Sequence, residues 1–202
     1  MATEAQMEAM KLYLAILEET KIRIDCINTA LSGRTNLPER SAVEFCYLQL
    51  RMLCELIAVG CLVVHGDIVG TQGMRKVWAA DEIMKRLEKL HPDFYPHPVL
   101  FTFPEPGRVH LEKVEEGFLK RDELIRLVGL TGDVLHRGSL KNLLTPSKML
   151  LQGFDGVREW GQKLVKLLSQ HRIGLLGGKA HVVCALADAR GVVSVNFAAS
   201  PL

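Results

Sequence analysis

The chain has 202 residues, 48% of them hydrophobic, enough to bury a substantial core as one domain without disulfides or metal. Lysine and arginine number 25 against 23 aspartates and glutamates, so a net charge of +2 creates no global field toward nucleic acid or an anionic membrane. The five cysteines form no C-x-x-C pair and read as buried free thiols in a reducing cytoplasm, and the start MATEAQMEAM lacks the basic segment and apolar core of a secretion signal.

From Glu4 to about Leu31 the pattern is helical, with Leu12, Ala15 or Ile16, Glu19, Ile22 or Arg23 and Cys26 along one face and Ser32-Gly33 as a stop. Arg34 to Pro38 is a short connection. Asn36 with Glu39, or Ser41 with Glu44, then offers a capping box for a second helix from Glu39 to His65, in which Pro38 is tolerated only in the first turn. The apolar residues of this second helix are too many for one exposed face, so it should be the buried central helix of a mainly α fold. Val43 to Val64 is also long enough to span a bilayer, but Arg51 and Glu55 near its centre would each cost roughly 2.5 to 3.5 kcal/mol there, so a soluble core helix is expected, with no membrane partner.

Gly66, Gly70 and Gly73 end that helix, and a third is predicted from Met74 to Leu90. His91 to Gly107, HPDFYPHPVLFTFPEPG, holds five prolines and four aromatics, which forbids a helix. An ordered loop over 91–118 is expected, pinned to the bundle by Phe94, Tyr95, Phe101 and Phe103, with a short strand at 108–114. A fourth helix follows from Lys120 to His136, with Leu124, Leu127 or Val128, Thr131 and Leu135 inward. A fifth runs from Met149 to about Gln170, with Leu150, Phe154, Val157, Trp160 or Gly161, Leu164 and Leu168 on one face. Ala180–Ala187 and Val192–Ala198 are strand-like and joined by Asp188-Ala-Arg-Gly191, the composition of a tight turn, which predicts a C-terminal β-hairpin. The expected organisation is a five-helix bundle over 1–171 with the hairpin of 172–202 packed on it or paired with residues 108–114 or a second subunit, since a lone hairpin is marginal in water.

Candidate chemistry lies on the second helix. Glu44, Tyr47, Arg51 and Glu55, spaced three, four and four apart, share one stripe of a 3.6-residue helix. Arg51 and Glu55 inside so apolar a segment need partners: each other, or a first-helix group such as Asp25, which sets the register of the bundle. In a functional reading the stripe Tyr47, Arg51, Glu55 lines a pocket where a ligand anion meets Arg51. His136 ends the fourth helix, where the dipole favours its imidazolium, and Gly129 and Gly132 on its stripe would let another helix approach. It reads either as a cap or as a proton-transfer group facing Arg51 and Glu55, with Arg137 on phosphate. His65, His91, His97, His110, His171 and His181 lack metal-ligand spacing, and neither a metal nor a cofactor is expected. The glycines form no P-loop or nucleophile elbow, and the basic residues no recognition helix for sequence-specific DNA binding.

The succession of R51-M-L-C-E55-L-I-A58, F94-Y-P-H-P98 and L135-H136-R137-G138 resembles blocks of a set of uncharacterised bacterial proteins over roughly residues 40–140. The all-helical plan looks like the HEPN class of small helical bundles, which often dimerise and include RNA-cutting toxins and nucleotide-binding modules. That resemblance implies a cytoplasmic homodimer acting as a ligand-binding or protein-interaction module with RNA or a nucleotide as ligand. Its enzymatic alternative is a metal-independent ribonuclease or nucleotidyl-acting enzyme using Arg51, Glu55 and His136, with Tyr47 and Arg137 as ligand contacts. The class's Arg-x(4–6)-His pattern is met by R86-L-E-K-L-H91, without the polar residue that usually follows the arginine.

Overall fold

The computed structural model describes residues 3–66, 68, 70–74, 76, 77, 79–105, 108–136, 144, 148–178, 180–188 and 190–199. Five α-helices occur among them: α1 (Glu4–Leu31), α2 (Glu39–Val64), α3 (Ala80–Leu90), α4 (Arg121–Leu135) and α5 (Lys148–Leu168). Five strands complete the fold: β1 (His97–Glu105), β2 (Arg108–Lys113), β3 (Gln170–Gly174), β4 (Ala180–Ala185) and β5 (Ser194–Ala199). The protein is mainly helical with a small antiparallel sheet.

Helix α1 starts in a capping box: the Thr3 hydroxyl accepts from Gln6 N–H while the Gln6 side chain accepts from Thr3 N–H. Its buried residues are Tyr13, Leu17, Thr20, Ile27 and Ala30, whereas Leu12 and Ile22, on the face expected inward, are half-exposed. Two apolar rows compete along α1, and the row led by Tyr13 wins because its ring packs where α2 carries Gly60, with no side chain in the way. Neither predicted capping box starts α2. Pro38 holds the N-cap position at φ −53° with no side-chain cap, its ring having pre-set a φ compatible with entry to the helix.

Fourteen residues of α2 are buried, and the helix packs against α1, α3, α4 and α5. Leu48 and Val59 remain well exposed, so α2 is not enclosed on every side. It has the length and composition of a membrane span, yet 61% of that apolar window is buried inside the fold.

Helix α3 begins at Ala80, six residues later than the sequence pattern suggested, after a single 3-10 turn at Gln72–Met74. A start at Met74 would put Arg75 and Lys76 at the positive end of the helix dipole; the start at Ala80 puts Asp81 and Glu82 there. In α5 the backbone leaves helical geometry at Gly153 (φ 55°, ψ −137°), and Val157, Trp160, Leu164 and Leu168 beyond the break are buried as expected.

The sheet has the order β2-β1-β3-β4-β5, antiparallel throughout. Most of the segment expected to be loop is therefore strand: β1 runs through Pro98, whose carbonyl accepts from Val114 N–H, and the β1–β2 register shifts between Thr102 and Glu105. Prolines are tolerated because β1 needs donors only where a ladder bond falls. Phe94 and Tyr95 are buried as expected, Tyr95 donating to Leu119 O at 3.0 Å; Phe101 is half-buried, and the Phe103 side chain lies outside the described ones.

Strands β4 and β5 pair antiparallel, and between them Gly191 N–H donates to Asp188 O. They extend a larger sheet through β3, and residues 108–113 pair with β1. The sheet thus draws strands from both sides of the expected boundary at 171/172. Strand β3 begins at Gln170, where the fifth helix is expected to end, and is not predicted from the sequence; five residues carrying His171 and Ile173 as an alternating inward pair are too short a signal to read locally.

Candidate functional site

The predicted stripe on α2 resolves into two environments. Arg51 Nε donates to Glu55 Oε1 at 2.7 Å and Arg51 Nη1 to the Val128 carbonyl of α4 at 2.9 Å. The same carbonyl also accepts from the Thr131 hydroxyl at 3.0 Å. The Arg51 side chain is 19% exposed and Glu55 37%, so the pair stands at the edge of the α2–α4 seam, half in water. Asp25, the alternative partner, is exposed on α1; the polar link from α1 to α2 is instead Arg23 Nη1 to Gln49 Oε1 at 3.1 Å.

His136 is the C-cap residue of α4, exposed, with its N–H donating to Gly132 O at 2.8 Å. A Cβ on Gly132 would lie 3.6 Å from Arg51 Nη1 and 3.9 Å from His136 Cδ2, so guanidinium and imidazole converge on that glycine from two helices. Gly129, expected to permit a close approach as well, faces nothing within 4 Å. Arg137 lies outside the described residues. Tyr47 is fully buried: its hydroxyl sits over Gly156 of α5, 2.7 Å from where a Cβ would be, and burial pushes its pKa up to about 12. The side chain packs α2 onto α5 and is out of reach of a ligand arriving at Arg51.

Arg86 and His91, the formal Arg-x(4–6)-His match, do not meet. Arg86 is solvent-facing and paired with Glu82, while His91 is buried with Nε2 donating to Gly174 O at 3.0 Å. Buried His65 reaches the same carbonyl at 3.1 Å, and the two rings stand 5.1 Å apart. These two histidines tie the ends of α2 and α3 to β3.

A second polar cluster was not foreseen. His97 of β1 is the direct cross-strand partner of Arg172 on β3, and the next residue on that face of β3, Gly174, pairs with His181 of β4. Direct partners point to the same side of a sheet, which brings His97, Arg172 and His181 together. Asp93 joins them from the loop before β1: Oδ1 accepts from His97 Nε2 at 2.6 Å and Oδ2 lies 3.8 Å from Arg172 Nη1. Arg172 Nη1 is 3.4 Å from His181 Nδ1. Burial, followed by the Arg172 charge, holds the His181 pKa below its ordinary value. A Cβ on Gly174 would collide with Asp93 Oδ2, so the glycine provides the space the carboxylate occupies. The only signal in the sequence was H91-P-D-F-Y-P-H97; its partners lie some 75 to 90 residues on and are joined to it by strand register.

Among the described residues no three histidines, cysteines, aspartates or glutamates are grouped to hold a metal ion. A groove of about 580 Å³ lies between α1 and α2, lined by Ala9, Leu12, Val59 and Val63, and one of about 420 Å³ lies between α1 and α5. Neither contains Arg51, Glu55 or His136. Compared with protein-family models, curated proteins and solved structures, the chain matches none of them.

Proposed function

We propose that the chain is a cytoplasmic, HEPN-like ligand-binding module, working as a homodimer, whose ligand is an RNA or nucleotide anion received at the outer edge of the α2–α4 seam. One observation carries the reading: Arg51 and His136 converge on Gly132, at a place where both reach solvent. Helix α2 serves as the scaffold, and Tyr47 positions it against α5.

Binding is favoured over catalysis because Arg51 already donates to Glu55 and Val128 O. Hydrogen bonds to charged groups are each worth about 1.5 to 3 kcal/mol, so a guanidinium that had to leave them to follow a transition state would lose most of its advantage. Held in place, it presents a fixed positive charge at low conformational cost.

The test is purification from its expression host followed by mass spectrometry and nucleic-acid staining, then titration with a short RNA and with nucleoside monophosphates. The expected result is saturable binding that His136→Ala weakens about tenfold and that weakens further as salt rises. Binding indifferent to both His136→Ala and Arg51→Lys overturns the reading. The enzymatic alternative, a metal-independent ribonuclease using Arg51, Glu55 and His136, rests on the same convergence; it requires RNA cleavage that persists in EDTA and disappears in His136→Ala.

A further inference from the structure

We infer that Asp93, His97, Arg172 and His181 form a second site, separate in its residues from the α2–α4 seam, which binds a tetrahedral phosphate-type oxyanion and takes up protons on its imidazoles as it does so. The four side chains come from a loop and three strands, and the sheet register, rather than chance proximity on a mobile surface, sets their spacing.

Each member has a chemical part. Arg172 is 20% exposed and meets Asp93 only across 3.8 Å and His181 across 3.4 Å, so its planar fork of donors keeps capacity for an oxyanion. Asp93 accepts from His97 Nε2, which fixes the ring's orientation and directs Nδ1 away from the carboxylate. His97 is 42% exposed, so an incoming anion can reach it. Arg172 Nη1 faces His181 Nδ1, an arrangement that suits an imidazole without a proton on that nitrogen. An anion on Arg172 offsets the charge that disfavours protonation there.

Gly174 is the strongest sign that the arrangement is built. Its φ is not positive, so the backbone does not require glycine; the absent side chain makes room for the Asp93 carboxylate beside the strand. An ordinary surface ion pair needs no such recess. The Asp93 carboxylate and the Arg172 guanidinium balance each other within the cluster, which leaves the two imidazoles as its further donors toward an anion.

The experiment follows the histidine ring resonances of the ¹⁵N-labelled full chain in low salt during titration with inorganic phosphate, inorganic sulfate and a nucleoside monophosphate. Sulfate does not titrate between about pH 5 and 8, so any change in its affinity there reports the protein's own protons. The expected result is saturable movement of the His97 and His181 signals, with sulfate bound roughly tenfold more tightly at pH 5.5 than at pH 8. Arg172→Gln should weaken binding at least tenfold, and His136→Ala should leave it unchanged, which keeps a failure here distinct from a failure at the seam. Because Arg172 is part of the sheet, His97→Asn at an exposed position provides the second variant, expected to weaken binding several-fold and flatten its pH dependence. Tighter binding of the monophosphate than of free phosphate assigns the anion to a nucleotide; equal binding assigns it to the free ion. No saturable movement up to about 50 mM, or movement unchanged in both Arg172→Gln and His97→Asn, overturns the inference.

Discussion

The Tyr13 hydroxyl donates to Nε2 of His171 at 2.7 Å, joining α1 to β3 inside the protein across most of the chain. His171 Nδ1 donates to Leu168 O at 3.0 Å, so the neutral ring carries its proton on Nδ1 and accepts at Nε2. Both residues are buried. Tyr13→Phe should therefore destabilise the fold by about 1 to 3 kcal/mol, the cost of leaving a buried acceptor unpaired. Urea denaturation measures this, and a double-mutant cycle with His171→Gln should show coupling between the two changes; additive effects would mean the bond contributes nothing of its own.

The same histidine makes stability depend on pH. Burial lowers its pKa from the usual 6.5 to about 4 in the folded chain. Below 6.5 the unfolded chain takes up a proton that the folded chain refuses until about pH 4. The stabilisation is complete above 6.5, declines as pH falls through that window, and is gone below it, a swing of roughly 3 kcal/mol. Denaturation midpoints from pH 7.5 to 4 should follow that slope, and His171→Gln should flatten it.

For the seam pair, the exposures of 19% for Arg51 and 37% for Glu55 decide the magnitude. A fully buried pair would cost roughly 3 kcal/mol or more on losing one partner, but solvent reaches this one, so Glu55→Ala should cost about 1 kcal/mol. Arg51→Ala should cost more, about 2 kcal/mol, because it also strips a donor from Val128 O and removes the packed stem of the side chain. Equal midpoints for the two variants would contradict the role assigned to the Val128 contact.

Gly60 and Gly161 make opposite predictions from the same substitution. A Cβ on Gly60 would stand 2.7 Å from Tyr13 Cε2, and the ring is tethered by its hydrogen bond and cannot swing away freely. Gly60→Ala should destabilise by about 1 to 3 kcal/mol despite a helix-propensity gain of about 1 kcal/mol. Gly161, with nothing within 4 Å, should accept alanine and gain up to about 1 kcal/mol. Thermal denaturation of the two variants compares them directly.

The thiols should react in a fixed order. Cys46, Cys54, Cys61 and Cys184 are buried, and burial pushes Cys46 up to about 11, Cys54 to about 12, and Cys61 and Cys184 higher still. Cys26 is partly exposed. Iodoacetamide at pH 8 should therefore modify Cys26 in the folded chain and the other four only after denaturation, as read by intact-mass spectrometry.

What the sequence determined by itself was whatever a single segment can state. Apolar periodicity and end signals placed α1, α2, α4 and α5 within a few residues, and Asp188 with Gly191 placed the last two strands, because those preferences act between neighbours along the chain. Arg51 and Glu55 were legible as a pair for the same reason: four residues apart on a helix is contact. Tertiary packing decided the rest. Which of two apolar rows of α1 turned inward depended on Gly60 of α2. Strand β3 became readable only with β1 and β4 beside it. Asp93, His97, Arg172 and His181 met because antiparallel register, a relation between distant segments, carries residues far apart in the chain to one face, and no local pattern records that register.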